Sequence, residues 1–275
     1  MNKSELDPGA SPEAAFGALL RRSREERGWR QEDVATMIKC SSTHISHLEN
    51  GNRRPTLHMA KKLDRAFKTG RLFLNKALAV TSSTFLEGFP AYVAQESKAR
   101  ELRLFTLGII PGILQTPDYA WAIAAAEVER GNITEEQAAN RVRYLERRQA
   151  KLDREPAPVI HVVLDESCIR RPIGGPAVMA AQFDRLLSFA RLPHTILQVA
   201  PFDIGEARAF DLPINIITKA DRTLMSYAES AQQGNLERDS DAVQAMLTTY
   251  YQLQARALPQ GASVALVSQL REELP

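Results

Sequence analysis

Short polar side chains lie between apolar anchors in the stretch 41–50, and they are well placed to make directed hydrogen bonds. Ile45 and Leu48 are three positions apart, so a helix would turn both toward a core. The side chains that then point away from the core are Ser42, Thr43, Ser46 and His47. Hydroxyl and imidazole groups donate and accept hydrogen bonds and are short enough to reach base edges in a DNA groove. The pattern therefore predicts a helix that contacts DNA bases.

A polar and basic loop follows this helix directly. Gly51 suits the left-handed backbone conformation that commonly ends a helix. The residues after it are Asn52, Arg53 and Arg54. Amide and guanidinium groups bind phosphate oxygens, which fix the position of a protein on a duplex. We therefore expect this loop to contact the DNA backbone beside the base-contacting helix.

Four short helices are predicted to hold these residues in place. Ser11 caps the first, with Pro12 at its opening position, and Gln31 opens the second. Ser41 caps the third, the base-contacting helix, and the fourth opens at residues 55–56. The apolar residues that we expect to form their common core are Phe16, Leu19, Leu20, Val34, Ala35, Ile38, Leu57, Leu63 and Phe67. Two short helices joined by a tight turn in this way predict a helix-turn-helix.

Charge is concentrated on the same region. Residues 12–70 hold twelve Lys or Arg against seven Asp or Glu, an excess of five positive charges. The whole chain carries +2, so the remaining residues carry −3. A basic surface on a helix-turn-helix is what attraction to a phosphate backbone requires.

The rest of the chain predicts a second, mixed domain. Apolar runs favour strands over 159–164, 195–199, 214–218 and 223–227, with helices between and after them. A helix is also predicted over 92–101. The expected fold class is an all-α N-terminal helix-turn-helix domain plus an α/β (mixed α+β) C-terminal domain. The predicted organisation is a disordered 1–10, a helix-turn-helix domain over 11–70, a linker over 71–83 and a partner-binding or regulatory domain over 84–275. Residues 71–82 could also form a further short helix.

Residues with catalytic potential in the second region do not form a recognisable motif. Asp165 and Glu166 follow a predicted strand, and Cys168, His161 and His194 occur nearby. The sequence contains no HExxH, CxxC, GxSxG or P-loop pattern. We therefore expect no enzyme, no catalytic residue, no metal and no cofactor.

The sequence also bears on the location of the protein. The two cysteines are far apart, no apolar run is long enough to span a bilayer, and the polar start lacks a secretion signal. These features favour a cytoplasmic protein, associated with the nucleoid.

Two other groups of residues, one basic and one aromatic, could contact DNA or a partner. The basic run Arg141, Arg143, Arg147, Arg148 and Lys151 favours the solvated face of a long helix, with auxiliary DNA contact as the alternative. The aromatic residues that we expect to be exposed, and to line a groove for a partner, are Phe202, Phe210 and Tyr227.

The first region resembles the phage-repressor, or Xre, type of helix-turn-helix over about residues 14–68. The resemblance is carried by Gln31, Val34-Ala35, Ser41, Ile45-Ser46 and Leu48-Glu49-Asn50-Gly51. It implies that Gln31 grips a phosphate and braces the base-contacting helix, and that Arg24 pairs with Glu49. It assigns base contacts to Ser42, Thr43, Ser46 and His47, and phosphate contacts to Asn52, Arg53 and Arg54. Lys39 stands where the turn usually has glycine, and Arg30 where Ser or Thr usually caps the second helix.

The region from about residue 84 to 274 is similar to the C-terminal domain of actinobacterial Scr1-family regulators, described as toxin–antitoxin-system antitoxin-like transcription factors. The resemblance is carried by the stretches 110–120, 147–153 and 164–175, with Gln182 and the stretches 198–202 and 257–263. It implies that the C-terminal domain binds a small partner protein, encoded nearby, that modulates DNA binding.

The sequence thus favours a sequence-specific transcriptional regulator that binds double-stranded DNA as a homodimer on a near-palindromic site. In this hypothesis the C-terminal domain binds the small partner protein. The alternative is a one-component regulator that senses a small-molecule ligand in the same domain. An enzyme fused to a DNA-targeting domain is the third hypothesis, and it would depend on Asp165, Glu166 and Cys168.

Overall fold

A computed structural model describes Pro8 and residues 12–81, 86, 88–230 and 233–275. The chain divides into two compact units. The first, called the helical unit below, runs to Ala94 and takes in a short stretch ending at Gly234. The second, called the sheet unit, contains the rest. The predicted disordered lead, apart from Pro8, and the predicted cap Ser11 lie outside the described residues.

The helical unit has the predicted helix-turn-helix. Its helices are α1 (Pro12–Glu25), α2 (Gln31–Ile38), α3 (Ser42–Glu49), α4 (Leu57–Phe67) and α5 (Leu72–Thr81), with α6 (Phe89–Glu96) at the boundary. Ser41 caps α3, because its hydroxyl accepts a hydrogen bond from the backbone N–H of His44 at 3.2 Å. Lys39 takes the left-handed conformation, with φ +59°, and Gly51 does so after α3, with φ +67°. The side chain that replaces the usual turn glycine is therefore accommodated.

Helix α1 packs directly on the C-terminal end of α3. Gly17 makes this possible, because a Cβ atom there would lie 2.5 Å from the carbonyl oxygen of Leu48 and 2.9 Å from that of Glu49. Phe16 and Leu20, on either side of this contact, are fully buried in the core of the unit. The approach of the two helices thus depends on the absence of a side chain at position 17.

The segment 71–83, expected to be a short helix or a linker, contains the helix α5. Phe73, Ala77 and Val80 belong to the same core as α1 to α4. The buried carboxylate of Asp64, on α4, accepts hydrogen bonds from the backbone N–H groups of Phe73 and Leu74, at 2.9 Å each. Asp64 therefore satisfies donors that the first turn of α5 leaves unpaired. This contact holds α5 to the helical unit, so residues 72–81 do not act as a connection.

The sheet unit is the predicted mixed α+β domain. Its strands are β1 (Glu101–Thr106), β2 (Val159–Asp165), β3 (Thr195–Ala200), β4 (Ile214–Thr218), β5 (Leu224–Glu229) and β6 (Gly234–Glu237). They form one sheet in the order β3-β2-β1-β4-β5-β6. The strands β1, β2 and β3 are parallel, whereas β4 runs antiparallel to both β1 and β5. The helices are α7 (Pro117–Glu129), α8 (Glu135–Ala150), α9 (Ser167–Arg170), α10 (Pro176–Ala190), α11 (Ser240–Arg256) and α12 (Gln260–Glu272).

Strand β1 occupies a central place in the sheet and was not predicted. The expected helix over 92–101 ends at Glu96 as α6, and Glu101 already opens the strand. Arg103 interrupts the apolar pattern of β1, yet it is buried. Its guanidinium is paired with Glu101 at 2.6 Å and donates to the hydroxyl of Tyr251 at 3.0 Å. Helix α11 covers this face of the sheet through Val243, Leu247, Tyr250 and Leu253.

The outer edge of β3 is closed by the segment after α11. The backbone N–H of Leu258 donates to the carbonyl of Val199 at 2.8 Å, and the N–H of Val199 donates to the hydroxyl of Ser263 at 2.9 Å. Because these backbone groups of the edge strand are already paired, another strand cannot hydrogen-bond to them.

Candidate nucleic-acid interface

The helix α3 turns its polar side chains outward, as the sequence predicts. Ile45 and Leu48 are fully buried and anchor it in the core of the helical unit. Thr43 and His47 are exposed, on the side opposite to these anchors, and Ser42 and Ser46 are half-buried at its flanks. The face that can approach a base edge is therefore centred on Thr43 and His47.

A buried carboxylate fixes the position of this helix. Glu49 is fully buried, and it accepts hydrogen bonds from Arg24 at 2.5 and 2.9 Å and from the side-chain amide of Gln31 at 2.8 Å. These three residues, called the Glu49 cluster below, join α1, α2 and α3. The hydrogen bond to Glu49 raises the pKa of Arg24, which stays charged. The predicted Arg24–Glu49 ion pair is confirmed.

Gln31 is the first residue of α2, and its contact with Glu49 is the expected brace between α2 and the base-contacting helix α3. One N–H of its amide is used on Glu49, and an amide nitrogen carries two. The side chain is half-buried, so a donor remains within reach of solvent. This arrangement is compatible with the expected phosphate contact.

A second set of contacts at the end of α3 was not found from the sequence. Arg21 donates to the side-chain oxygen of Asn50 at 2.6 Å and to the carbonyl of Glu49 at 3.2 Å. The amide of Asn50 in turn donates to the carbonyl of Ser46 at 2.8 Å, and its nitrogen lies 3.4 Å from the Ser46 hydroxyl. Arg21 therefore holds the end of α3 and orients Ser46. The available signal was its position three residues before Arg24, on the same side of α1.

The loop after α3 divides into two parts. Asn52 and Arg53 are exposed and can meet a phosphate. Arg54 is half-buried, and its Nε lies 3.0 Å from a carboxylate oxygen of Glu13, which is 3% exposed. Arg54 therefore neutralises a buried acid in α1, a role that the sequence did not indicate.

His44 is another residue that the sequence analysis missed. It is half-buried on the flank of α3, and its pKa is lowered, first by burial and then by the nearby Arg53 and His47. These surroundings disfavour the protonated form of the ring. Its place three residues before His47 was the signal.

Of the three aromatic residues expected to line a partner groove, only one is plainly exposed. Phe202 is 59% exposed, whereas Phe210 is half-buried, with its ring centroid 5.9 Å from that of Phe105. Tyr227 is 1% exposed and donates its hydroxyl to Glu229 at 2.9 Å. The prediction of an exposed Tyr227 is therefore wrong, because the alternation of β5 turns this side chain into the sheet unit.

The candidate catalytic residues Asp165 and Cys168 are engaged by neighbouring groups. Asp165 accepts a hydrogen bond from the backbone N–H of Ser167 at 3.0 Å and lies 3.4 Å from Arg208. Cys168 is fully buried and donates to the carbonyl of Ile109 at 3.2 Å. Burial raises the pKa of its thiol to about 12, so it does not form the thiolate that a nucleophile requires. Within the described residues no group of three or more His, Cys, Asp or Glu side chains is placed to hold a metal ion.

The basic run on α8 is only partly solvated. Arg148 is buried and donates to both carboxylate oxygens of Glu96, at 2.5 and 2.7 Å. The pKa of Arg141 is lowered by burial, while Arg147 and Lys151 are exposed. The prediction of one solvated basic face is therefore wrong for Arg148, which is an internal ion-pair partner.

The comparisons with known proteins agree with this division of the chain. The family described as "Helix-turn-helix domain" matches residues 15–72. The family described as "Domain of unknown function (DUF5753)" matches residues 89–269, which is more than half of the chain. No curated protein and no solved structure matches the chain. The helix-turn-helix match supports a DNA-binding regulator rather than an enzyme. In the part of the chain that the structure describes, no helix has both the length and the apolar character needed to cross a membrane.

Proposed function

Because the chain belongs to the DUF5753 family and carries a helix-turn-helix domain ahead of that region, we propose that it is a sequence-specific transcriptional regulator. The observation that supports this proposal best is the exposed face of Thr43 and His47 on a helix held by the Glu49 cluster. A rigid helix with outward hydrogen-bonding side chains is suited to the major groove.

We assign the contacts of this interface as follows. Thr43 and His47 meet base edges, with Ser42 and Ser46 at the margins of the same contact. Gln31, Asn52 and Arg53 bind phosphates on either side of α3. Arg54 is also on the phosphate side, but its charge there is reduced because it is paired with Glu13.

A homodimer is the expected DNA-binding form. One helix of eight residues makes few base contacts, and paired recognition helices about 34 Å apart read the two halves of a near-palindromic site. A protein that binds chromosomal DNA in this way would be associated with the nucleoid.

The sheet unit is proposed to bind a small partner protein that modulates DNA binding, as in antitoxin-like pairs. Exposed apolar residues at one end of its sheet favour this assignment over a small-ligand sensor. The buried polar side chains at the same end are already engaged: Asp165 accepts from the backbone N–H of Ser167, and Cys168 donates to the carbonyl of Ile109.

The experiment that tests the DNA-binding proposal uses the full chain and a duplex that it selects from genomic fragments. We expect it to bind this duplex at least about a thousandfold more tightly than a shuffled one of the same composition. Replacing both Thr43 and His47 by alanine should remove about 1–3 kcal/mol of that preference for each lost base contact. The control is Arg191→Ala, an exposed residue of the sheet unit, which should change nothing. Equal affinity of the unchanged chain for both duplexes at low salt would reject the proposal.

A further inference from the structure

Three large apolar side chains are exposed at one end of the sheet. Ile109 follows β1 and is 43% exposed, Phe202 follows β3 and is 59% exposed, and Leu212 precedes β4 and is 58% exposed. The strands β1 and β3 are parallel with β2 between them, and Ile214 of β4 pairs with Phe105 near the end of β1. All three side chains therefore lie beyond the carboxyl ends of the parallel strands.

The loops that carry these side chains are tied to the sheet and to one another. The backbone N–H of Phe202 donates to the buried carboxylate of Glu166 at 2.8 Å, and the carbonyl of Ile109 accepts from Cys168 at 3.2 Å. Arg208 lies between Asp165, at 3.4 Å, and Asp211, at 3.6 Å. A surface built in advance loses less conformational entropy on binding than one that must be ordered.

The exposure of these residues contrasts with the packing of their neighbour. Phe210, on the same loop as Phe202 and Leu212, packs on Phe105 and joins the core under α11. The same loop thus buries the ring of Phe210 but leaves the side chains of Phe202 and Leu212 exposed to solvent. Apolar side chains grouped on a surface and bordered by charge are typical of a protein-binding site.

The charge around the apolar side chains is negative. Asp203 and Glu206 are exposed, and the side chain of Asp211 is 98% exposed. The basic residue in the same loop, Arg208, is engaged by Asp165 and Asp211, and Arg170 nearby is paired with Glu166 at 2.9 Å. Arg171, after α9, is exposed on the side of Ile109, so the negative charge is concentrated on the loop between β3 and β4. A partner that covers this surface must therefore bring apolar side chains together with positive charge.

We propose that this carboxyl-end surface, formed by Ile109, Phe202, Leu212, Asp203, Glu206 and Asp211, docks a basic amphipathic segment of the partner protein. Phe202 and Leu212 enter the apolar face of that segment, and its Lys or Arg side chains meet the three carboxylates. The inference rests on the proposed binding of a partner by the sheet unit. It adds the place of binding and the chemistry of the segment that binds.

The test uses the full chain and two labelled synthetic helical peptides of equal length, one of leucine and lysine and the other of leucine and glutamate. Fluorescence anisotropy should detect binding of the leucine–lysine peptide only, and the binding should weaken as salt is raised. A benzophenone on that peptide should crosslink to the segment 200–213. Exclusive crosslinking elsewhere, or equal binding of both peptides, would overturn the proposal.

Two sets of variants locate the contact. The double variant Phe202→Ser and Leu212→Ser should weaken peptide binding at least about tenfold, the scale expected when buried anchors are lost. Asp203→Lys with Asp211→Lys should also weaken it, with the larger effect at low salt. The matched control is Leu192→Ser, because Leu192 is 45% exposed but precedes β3, at the opposite end of the sheet. An equal loss from the control would overturn the assignment.

Two further measurements separate the possible failures. Light scattering of the unchanged chain, compared with the Phe202→Ser and Leu212→Ser variant, asks whether a second copy occupies the surface instead. Loss of a dimer in that variant would overturn the assignment to a different protein. The selected duplex should bind the variant as tightly as the unchanged chain. If the unchanged chain binds the duplex but not the leucine–lysine peptide, only this inference is rejected, whereas absence of DNA binding by the unchanged chain would reject the proposed function.

Discussion

The two units of the molecule place their surface chemistry in opposite ways. In the helical unit the buried face of α3 carries a charged residue, Glu49, and its exposed face carries neutral or weakly basic polar groups around Thr43 and His47. In the sheet unit buried polar groups such as Asp165 pair with neighbours, and apolar residues such as Phe202 face solvent. The first arrangement suits a polar ligand with fixed donors and acceptors, and the second suits a protein surface. The difference indicates that one chain carries two recognition sites of different chemistry.

The largest expected effect concerns the buried charge of the helical unit. Glu49→Ala leaves the guanidinium of Arg24 and the amide of Gln31 without their acceptor, and should cost about 3–5 kcal/mol of the free energy of unfolding. Trp29 lies in the helical unit, so denaturation can be followed by its fluorescence in a Trp121→Phe background. The control is Glu25→Ala, because that side chain is 44% exposed and its carboxylate lies 3.6 Å from Arg24. Equal stability of the two variants would show that the Glu49 cluster does not hold α3.

The next effect contrasts a glycine of each unit. Gly17→Ala places a Cβ atom 2.5 Å from the Leu48 carbonyl and should destabilise the helical unit by about 1–3 kcal/mol. Gly261→Ala, in α12, meets nothing within 4 Å and should stabilise the sheet unit by up to about 1 kcal/mol. Chemical denaturation reported separately by Trp29 and Trp121 measures both changes. An unchanged or raised stability of the helical unit in Gly17→Ala would contradict the packing described for α1 and α3.

Two neighbouring arginines should separate stability from binding. Arg54→Ala leaves the buried Glu13 carboxylate unpaired and should lower the free energy of unfolding by about 1–3 kcal/mol. Arg53→Ala should leave stability unchanged, weaken binding to all duplexes and reduce the slope of log affinity against log salt by about one. Thermal unfolding and anisotropy at several salt concentrations measure the two quantities. A salt slope unaffected by Arg53→Ala would remove this residue from the phosphate contact.

Local signals were enough to predict the helix-turn-helix. Ser41 as a cap, Gly51 after the helix and the spacing of Ile45 and Leu48 are all read within a few residues, and each has the predicted structure. Lys39 also takes the positive φ that its place in the turn requires. The contacts of Arg21, with residues about 28 positions away, were missed because such contacts arise only when α1 and α3 pack.

The sheet unit was predicted less completely, because its decisive contacts are long-range. Strand β1 was missed since Glu101 and Arg103 look solvent-exposed in sequence, whereas the fold pairs them with each other and with Thr218 and Tyr251. The exposure of Tyr227 was misjudged for the same reason. Its neighbour Ser226 faces α11, where it contacts Met246, so Tyr227 lies on the opposite face of β5, and that face is also covered. The fold class was correct, because the strands β2 to β5 carry enough apolar residues to be recognised individually.

The central claim is that the outward face of α3 reads bases. It is tested most directly by selecting duplexes from a random pool with the unchanged full chain and with the His47→Ala variant. The account predicts that the unchanged chain selects a near-palindromic sequence, and that the variant loses its preference at a defined position of each half-site while keeping the rest. Selection of the same sequence with the same affinity by both proteins would contradict the assignment of His47, and failure of the unchanged chain to select any sequence would contradict the account as a whole.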